Sequence, residues 1–138
     1  MKQLLLYLHL LLLCLFISAC SDSPKDPINS KLFSGHICVD KASMSFGVVN
    51  RNEMNKICCK FKLKNTGQLP VVISKIDVSC GCIAAGISSD TILPNRNQLL
   101  TVTLNPNSSI GYLNKTIFVN SDADNPVLLL RVKGKIIE

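Results

Sequence analysis

Nine residues, KICCKFKLK from Lys56 to Lys64, alternate apolar and polar side chains without a break. In an extended chain, successive side chains point to opposite faces. Ile57, Cys59, Phe61 and Leu63 therefore share one face, and Lys56, Cys58, Lys60, Lys62 and Lys64 the other. This is the pattern of a half-buried strand, with Cys59 expected in a core and Cys58 outside it. The lysine row could bind an anion. A solvated face whose lysines discourage edge-to-edge pairing is the simpler expectation.

Similar short segments follow from Ala42 onward, separated by turn residues. Strands are expected at Val71–Val78, Ala85–Ser88, Gln98–Leu104, Tyr112–Val119 and Val127–Lys133. Val72, Ser74, Ile76 and Val78 fall on one face of theirs; Leu100, Val102 and Leu104, and Leu128, Leu130 and Val132, do so in two others. In Tyr112–Val119 the inward set is Leu113, Ile117 and Val119, with Lys115 breaking the row as an edge or rim position would. Turns are expected at Asn65–Gln68, with Pro70 opening the next strand, and at Leu93–Asn97 and Asn120–Pro126. No stretch holds a helical period over three turns. About seven strands at a spacing of roughly 8–12 residues predict an all-β fold, an antiparallel β-sandwich.

The N-terminus has a different character. Lys2 is followed by an apolar run, Leu4–Phe16, and then by Ile17-Ser18-Ala19-Cys20. That is the layout of a secretory signal peptide, and the run is shorter than the roughly 20 apolar residues that span a bilayer. The tetrapeptide looks like a bacterial lipobox, in which Cys20 is diacylated and becomes the first mature residue. Ser21–Lys31 is polar, contains two prolines and reads as a flexible tether. The expected organisation is a signal peptide over 1–19, a lipidated cysteine and tether over 20–41, and a sandwich over 42–138. Such a chain would be held to a membrane through Cys20, in the envelope of a Gram-negative bacterium, on the periplasmic face or the cell surface.

Removing residues 1–19 from the 138 leaves 119, enough for one domain. A chain of that size buries about two-thirds of its unfolded surface, so it needs no cofactor to fold, and none is expected. The net charge of +6 falls by one with Lys2. Nucleic acid is not an expected partner, because the chain is exported and aromatic residues are too sparse for base stacking. The charge suits solubility and attraction to anionic lipid or glycan surfaces.

After processing, Cys38, Cys58, Cys59, Cys80 and Cys82 remain, an odd number. Cys80 and Cys82 sit one glycine apart in VSCGC, just after a strand. Three readings are open. In the first the pair is structural, packed or disulfide-bonded, with Gly81 allowing a turn that a Cβ would obstruct. In the second it binds zinc or Cu(I) with help from Cys38, Cys58 or Cys59. In the third it is a redox dithiol, since a bond between the two closes a very small ring and would be readily reduced. Redox dithiols generally use two spacer residues at a helix N-terminus, which is missing here. The balance favours architecture.

Several elements occur in a telling order: Asn65-Thr66-Gly67-Gln68-Leu69-Pro70, Ser79-Cys80-Gly81-Cys82, Leu93-Pro94, the strand from Gly111-Tyr112 through Lys115, and Gly134. Together they resemble the bacterial domain-of-unknown-function family 1573 over about Ser43–Gly134. Ile83 stands where the family pattern has threonine, and Asn95-Arg96 where it has Gly-Glu. The resemblance implies an immunoglobulin-like β-sandwich, often an envelope lipoprotein of Bacteroidetes, similar to Hydin-type domains. It implies no activity. In that setting Asp90-Thr91-Ile92 resembles the phylum's O-glycosylation sites, which makes Thr91 a candidate acceptor, although an uneventful exposed threonine is the simpler reading.

No catalytic set is visible. His36 is the only histidine of the processed chain and has no serine or cysteine partner near it in sequence; Asp122 and Asp124 look like turn residues. The sequence therefore points to a non-enzymatic, lipid-anchored binding or assembly module with an unidentified protein or glycan partner. The alternative is a thiol-based metal or redox protein centred on Cys80 and Cys82.

Overall fold

The computed structural model describes residues 34–138. The signal peptide, Cys20 and the Ser21–Lys31 tether lie outside the described residues. Nine strands form: β1 (Ile37–Val39), β2 (Ser43–Asn50), β3 (Ile57–Asn65), β4 (Val71–Val78) and β5 (Ile83–Ile87), then β6 (Thr91–Ile92), β7 (Asn97–Leu104), β8 (Gly111–Ser121) and β9 (Val127–Ile137). They make two sheets, ordered β1-β3-β7-β5 and β2-β9-β8-β4-β6. Every pairing is antiparallel except β2 with β9, which run parallel. These two strands lie far apart in the chain, so no hairpin dictates their direction.

The inner faces meet in one core. Phe61 and Leu63 of β3, Leu100, Val102 and Leu104 of β7, Ile117 and Val119 of β8 and Leu130 and Val132 of β9 are all buried. The alternation in β3 is complete, with Cys59 inside and Cys58 outside. Its lysines do face solvent, and since β1 pairs only with Leu63–Asn65, Lys60 and Lys62 lie along a stretch of β3 that is open on that side, where they discourage edge pairing.

Two expectations need correction. Ile37–Val39, placed in the tether, is a paired strand with Ile37 buried, so the sandwich begins upstream of Ala42. Val72 does not share a face with Ile76 and Val78. A bulge between Ile73 and Lys75 resets the side-chain parity: Val71 and Ile73 point inward before it, and Ile76 and Val78 pack on the core after it. Lys115 sits at a rim as expected: β4 pairs with β8 only over Ile117–Ser121, so the first half of β8 is open on that side.

The Leu93–Arg96 turn explains one departure from the family pattern. The Arg96 N–H donates to Leu93 O (3.0 Å), Pro94 occupies the second position, and Asn95 has φ 60°. That left-handed conformation suits glycine and is tolerated by asparagine. Asn95→Ala is expected to lower stability by about 1–2 kcal/mol in urea denaturation, and Asn95→Gly to stay within about 0.5 kcal/mol.

Candidate functional site

Strand β4 ends at Val78 and the chain turns through Ser79–Cys82 into β5. Cys80 and Cys82 are joined by a disulfide, with their Cα atoms 5.4 Å apart. The corner is pinned on both sides. Ser79 N donates to Thr116 O (3.0 Å) while Thr116 N donates to Ser79 Oγ (3.1 Å), and Asn105 N donates to Cys82 O (3.2 Å). Both sulfur-bearing residues pack against the core. Gly81 is not required by crowding, since a Cβ there would meet nothing within 4 Å. The bond and the backbone contacts, rather than glycine's missing side chain, shape this turn.

The other thiols are dispersed. Cys38 and Cys58 are exposed and Cys59 is buried. Cys38 lies opposite Lys64, six residues along β3 from Cys58, so the two positions are ~20 Å apart. Among the described residues no three His, Cys, Asp or Glu side chains are grouped to hold a metal. The metal reading of these five cysteines is therefore not supported by their placement.

Burial pushes the Cys59 thiol up from its ordinary value, and the adjacent Cys58 adds to the push. Unfolding releases that thiol to ionise at its lower, unperturbed value, so this contribution to stability is intact below it and is lost as pH rises from there through the folded value. Between about pH 8 and 10, wild type is expected to lose more stability than Cys59→Val, measured by urea denaturation without oxygen. Parallel curves would show that Cys59 does not titrate differently on folding.

Two contacts join residues remote in sequence. His36 Nδ1 lies 2.5 Å from Asp124 Oδ1, and Ser34 Oγ donates to Asp124 Oδ2 (3.4 Å). Asp124, expected only as a turn residue, thus fastens the start of the domain to the β8–β9 loop, as does Asn125, which bonds both backbone groups of Ile37. The carboxylate is central in this group, held by both neighbours. That is not the serine–imidazole–carboxylate order of acyl transfer. Thr91 is half-buried in β6, with its hydroxyl donating to Asp90 Oδ1 (3.0 Å).

The outer face of the five-stranded sheet is a second candidate surface. Phe118 and Leu129 are cross-strand partners, with Val127 one row beyond, and all three are exposed. Toward the other end of β9 the outward residues are Arg131, Lys133 and Lys135. One face thus runs from apolar to cationic.

A family model described as a protein of unknown function (DUF1573) matches residues 37–136. The chain belongs to the DUF1573 family. Among solved structures, this DUF1573 chain is similar to a protein of unknown function from Porphyromonas gingivalis W83, with 14% identity and a TM-score of 0.67 over 76% of this chain and 48% of that one. It spans about half the length of that protein. It is also similar to the ASH/PapD-like domain 7 of human CEP192, with 16% identity and a TM-score of 0.59 over 76% of this chain and 87% of that one. A part of the Vibrio cholerae VesB protease matches with 7% identity and a TM-score of 0.56, over 74% of this chain and 32% of that one. At such identities the likeness is one of fold alone. Among curated proteins none matches the sequence significantly.

Proposed function

We propose that this DUF1573 protein is a lipid-anchored, non-catalytic binding module of the bacterial envelope. The observation that carries the reading is the outer face of the five-stranded sheet. Isolated apolar residues on a surface are ordinary, whereas Phe118, Leu129 and Val127 lie together in register across two strands. The lipobox-like Ile17–Cys20 supports the anchor. The disulfide at Cys80–Cys82 fits a module that stiffens a corner between its sheets; the alternative thiol chemistry would need a third sulfur or an activating charge beside it.

A photo-crosslinking residue at Leu129 in intact cells tests the binding face. A discrete adduct is expected, absent when the crosslinker is placed at Lys62 on the opposite sheet. The same adducts from both positions would remove the face from the reading. Cys20→Ala should abolish labelling with radioactive palmitate and release the protein from the membrane fraction; a variant that keeps its label would sink the anchor.

A further inference from the structure

The cationic end of this face contains a groove of about 480 Å³. It lies between two rows of outward side chains on β2, β9 and β8. One row is Ser45, Lys133 and Asn114; the other is Val48, Lys135 and Tyr112. The rows are separated by Gly47, Gly134 and Leu113, which pair across the same strands, so the floor is largely backbone. The glycine at 134 has a structural cause, because a Cβ there would strike the Phe46 ring that packs beneath it. Gly47, at φ 76°, follows the β2 bulge that brings Phe46 into that place.

The walls carry an unusual combination of groups. Tyr112 is 84% exposed, the highest value among the exposed large hydrophobics. Lys135 Nζ lies over one face of its ring, 5.1 Å from the centroid, and the other face is open to solvent. Neither Lys133 nor Lys135 forms an ion pair among the described residues, whose three pairs lie elsewhere. Ser45 Oγ accepts from Gly47 N (3.2 Å), which leaves its own proton to donate outward. The Asn114 amide is exposed at the rim.

We propose that this groove binds an acidic saccharide. The proposal deepens the binding-module reading and rests on it. A flat aromatic face suits the C–H side of a sugar ring, Ser45 and Asn114 offer hydrogen-bonding groups for hydroxyls, and two unpaired ammonium groups call for a carboxylate. The floor is backbone, with open space where Gly47 lacks a Cβ, and lets a ring approach closely. Lysines alone would attract any anion, and the open tyrosine is what selects a sugar.

The test is an NMR titration of the full chain with tetragalacturonate, a carboxylated tetrasaccharide, with cellotetraose as its neutral counterpart. Shifts are expected at Ser45, Tyr112, Asn114 and Gly134. Cellotetraose, Tyr112→Ala and Lys133→Ala should each bind about tenfold more weakly or worse, a difference of about 1.4 kcal/mol. Lys60→Ala/Lys62→Ala, which removes twice the charge of Lys133→Ala from the opposite sheet, should bind as wild type. Three results would overturn the assignment: no binding, equal binding of cellotetraose, or equal weakening by the Lys60/Lys62 variant. Wild-type affinity in Tyr112→Ala, whose exposed side chain leaves folding undisturbed, would overturn it too. If the titration fails while the Leu129 crosslink persists, the saccharide assignment falls and the binding module stands.

Discussion

Asn65→Asp is expected to remove about 4 kcal/mol or more of stability in urea denaturation, out of the 5–15 kcal/mol typical of a domain. The side chain is 0% exposed and uses its full hydrogen-bonding capacity. Its Oδ1 accepts from Gly67 N (2.9 Å) and His36 N (3.3 Å), and its Nδ2 donates to Leu69 O and Ile92 O, both at 2.8 Å. The backbone of Asn65 also bonds Arg96 O and Asn95 N. One residue thus ties the end of β3 to the segment just before β1, to the turn before β4 and to β6. Aspartate keeps the shape and creates no cavity, yet places an unpaired negative charge against two carbonyl oxygens. A loss below about 1 kcal/mol would show that the amide donors do not hold those carbonyls.

That hub illustrates what could and could not be read in the sequence. Asn65-Thr66-Gly67 was legible as a turn, because Asn and Gly mark turns by local chemistry. Nothing local says that the asparagine is buried, since its four partners come from segments up to 29 residues away. Strands β3, β7, β8 and β9 were legible because each carries a period of two long enough to declare one buried face. β1 and β6, with three and two residues, are too short to show any period. In β4 the period is present but broken by the bulge, so Val72 was grouped with the wrong residues. VSCGC was legible as a corner and a family marker, and its spacing could not choose between bonded and free sulfurs.

The candidate site fared worse for the same reason. Tyr112 and Lys135 pair across β8 and β9, but Ser45 joins them only through the parallel pairing of β2 with β9. Long-range parallel pairing leaves no turn signature to find. His36 and Asp124 meet across 88 residues, and so their pairing was equally invisible. The glycine in the interior of β9 was legible as a close approach, but it marks the packing of Phe46 beneath the sheet and not the groove above it.

Gly67→Ala should cost about 2–4 kcal/mol and do so locally. A Cβ at this position would land on backbone atoms of Ser34, Gly35 and His36, none of which is the free end of a side chain. Those residues must move away. Doing so stretches the bonds from Thr66 N to His36 O (2.8 Å) and from Gln68 N to Ser34 O (3.0 Å), and pulls His36 from Asp124. β1 pairs with β3 through only three residues, so it is expected to open first. Hydrogen exchange should therefore accelerate at Ile37–Val39 while amides shared by β8 and β9 remain protected. Uniform acceleration across both sheets would instead mean that the start of the domain is integral to the core's cooperativity. Because Asn65 Oδ1 accepts from His36 N and a Cβ at position 67 would displace that same segment, Gly67→Ala and Asn65→Asp together should cost less than the sum of their separate costs. Once the first substitution has released the 34–36 segment, the second can no longer lose its contact with it.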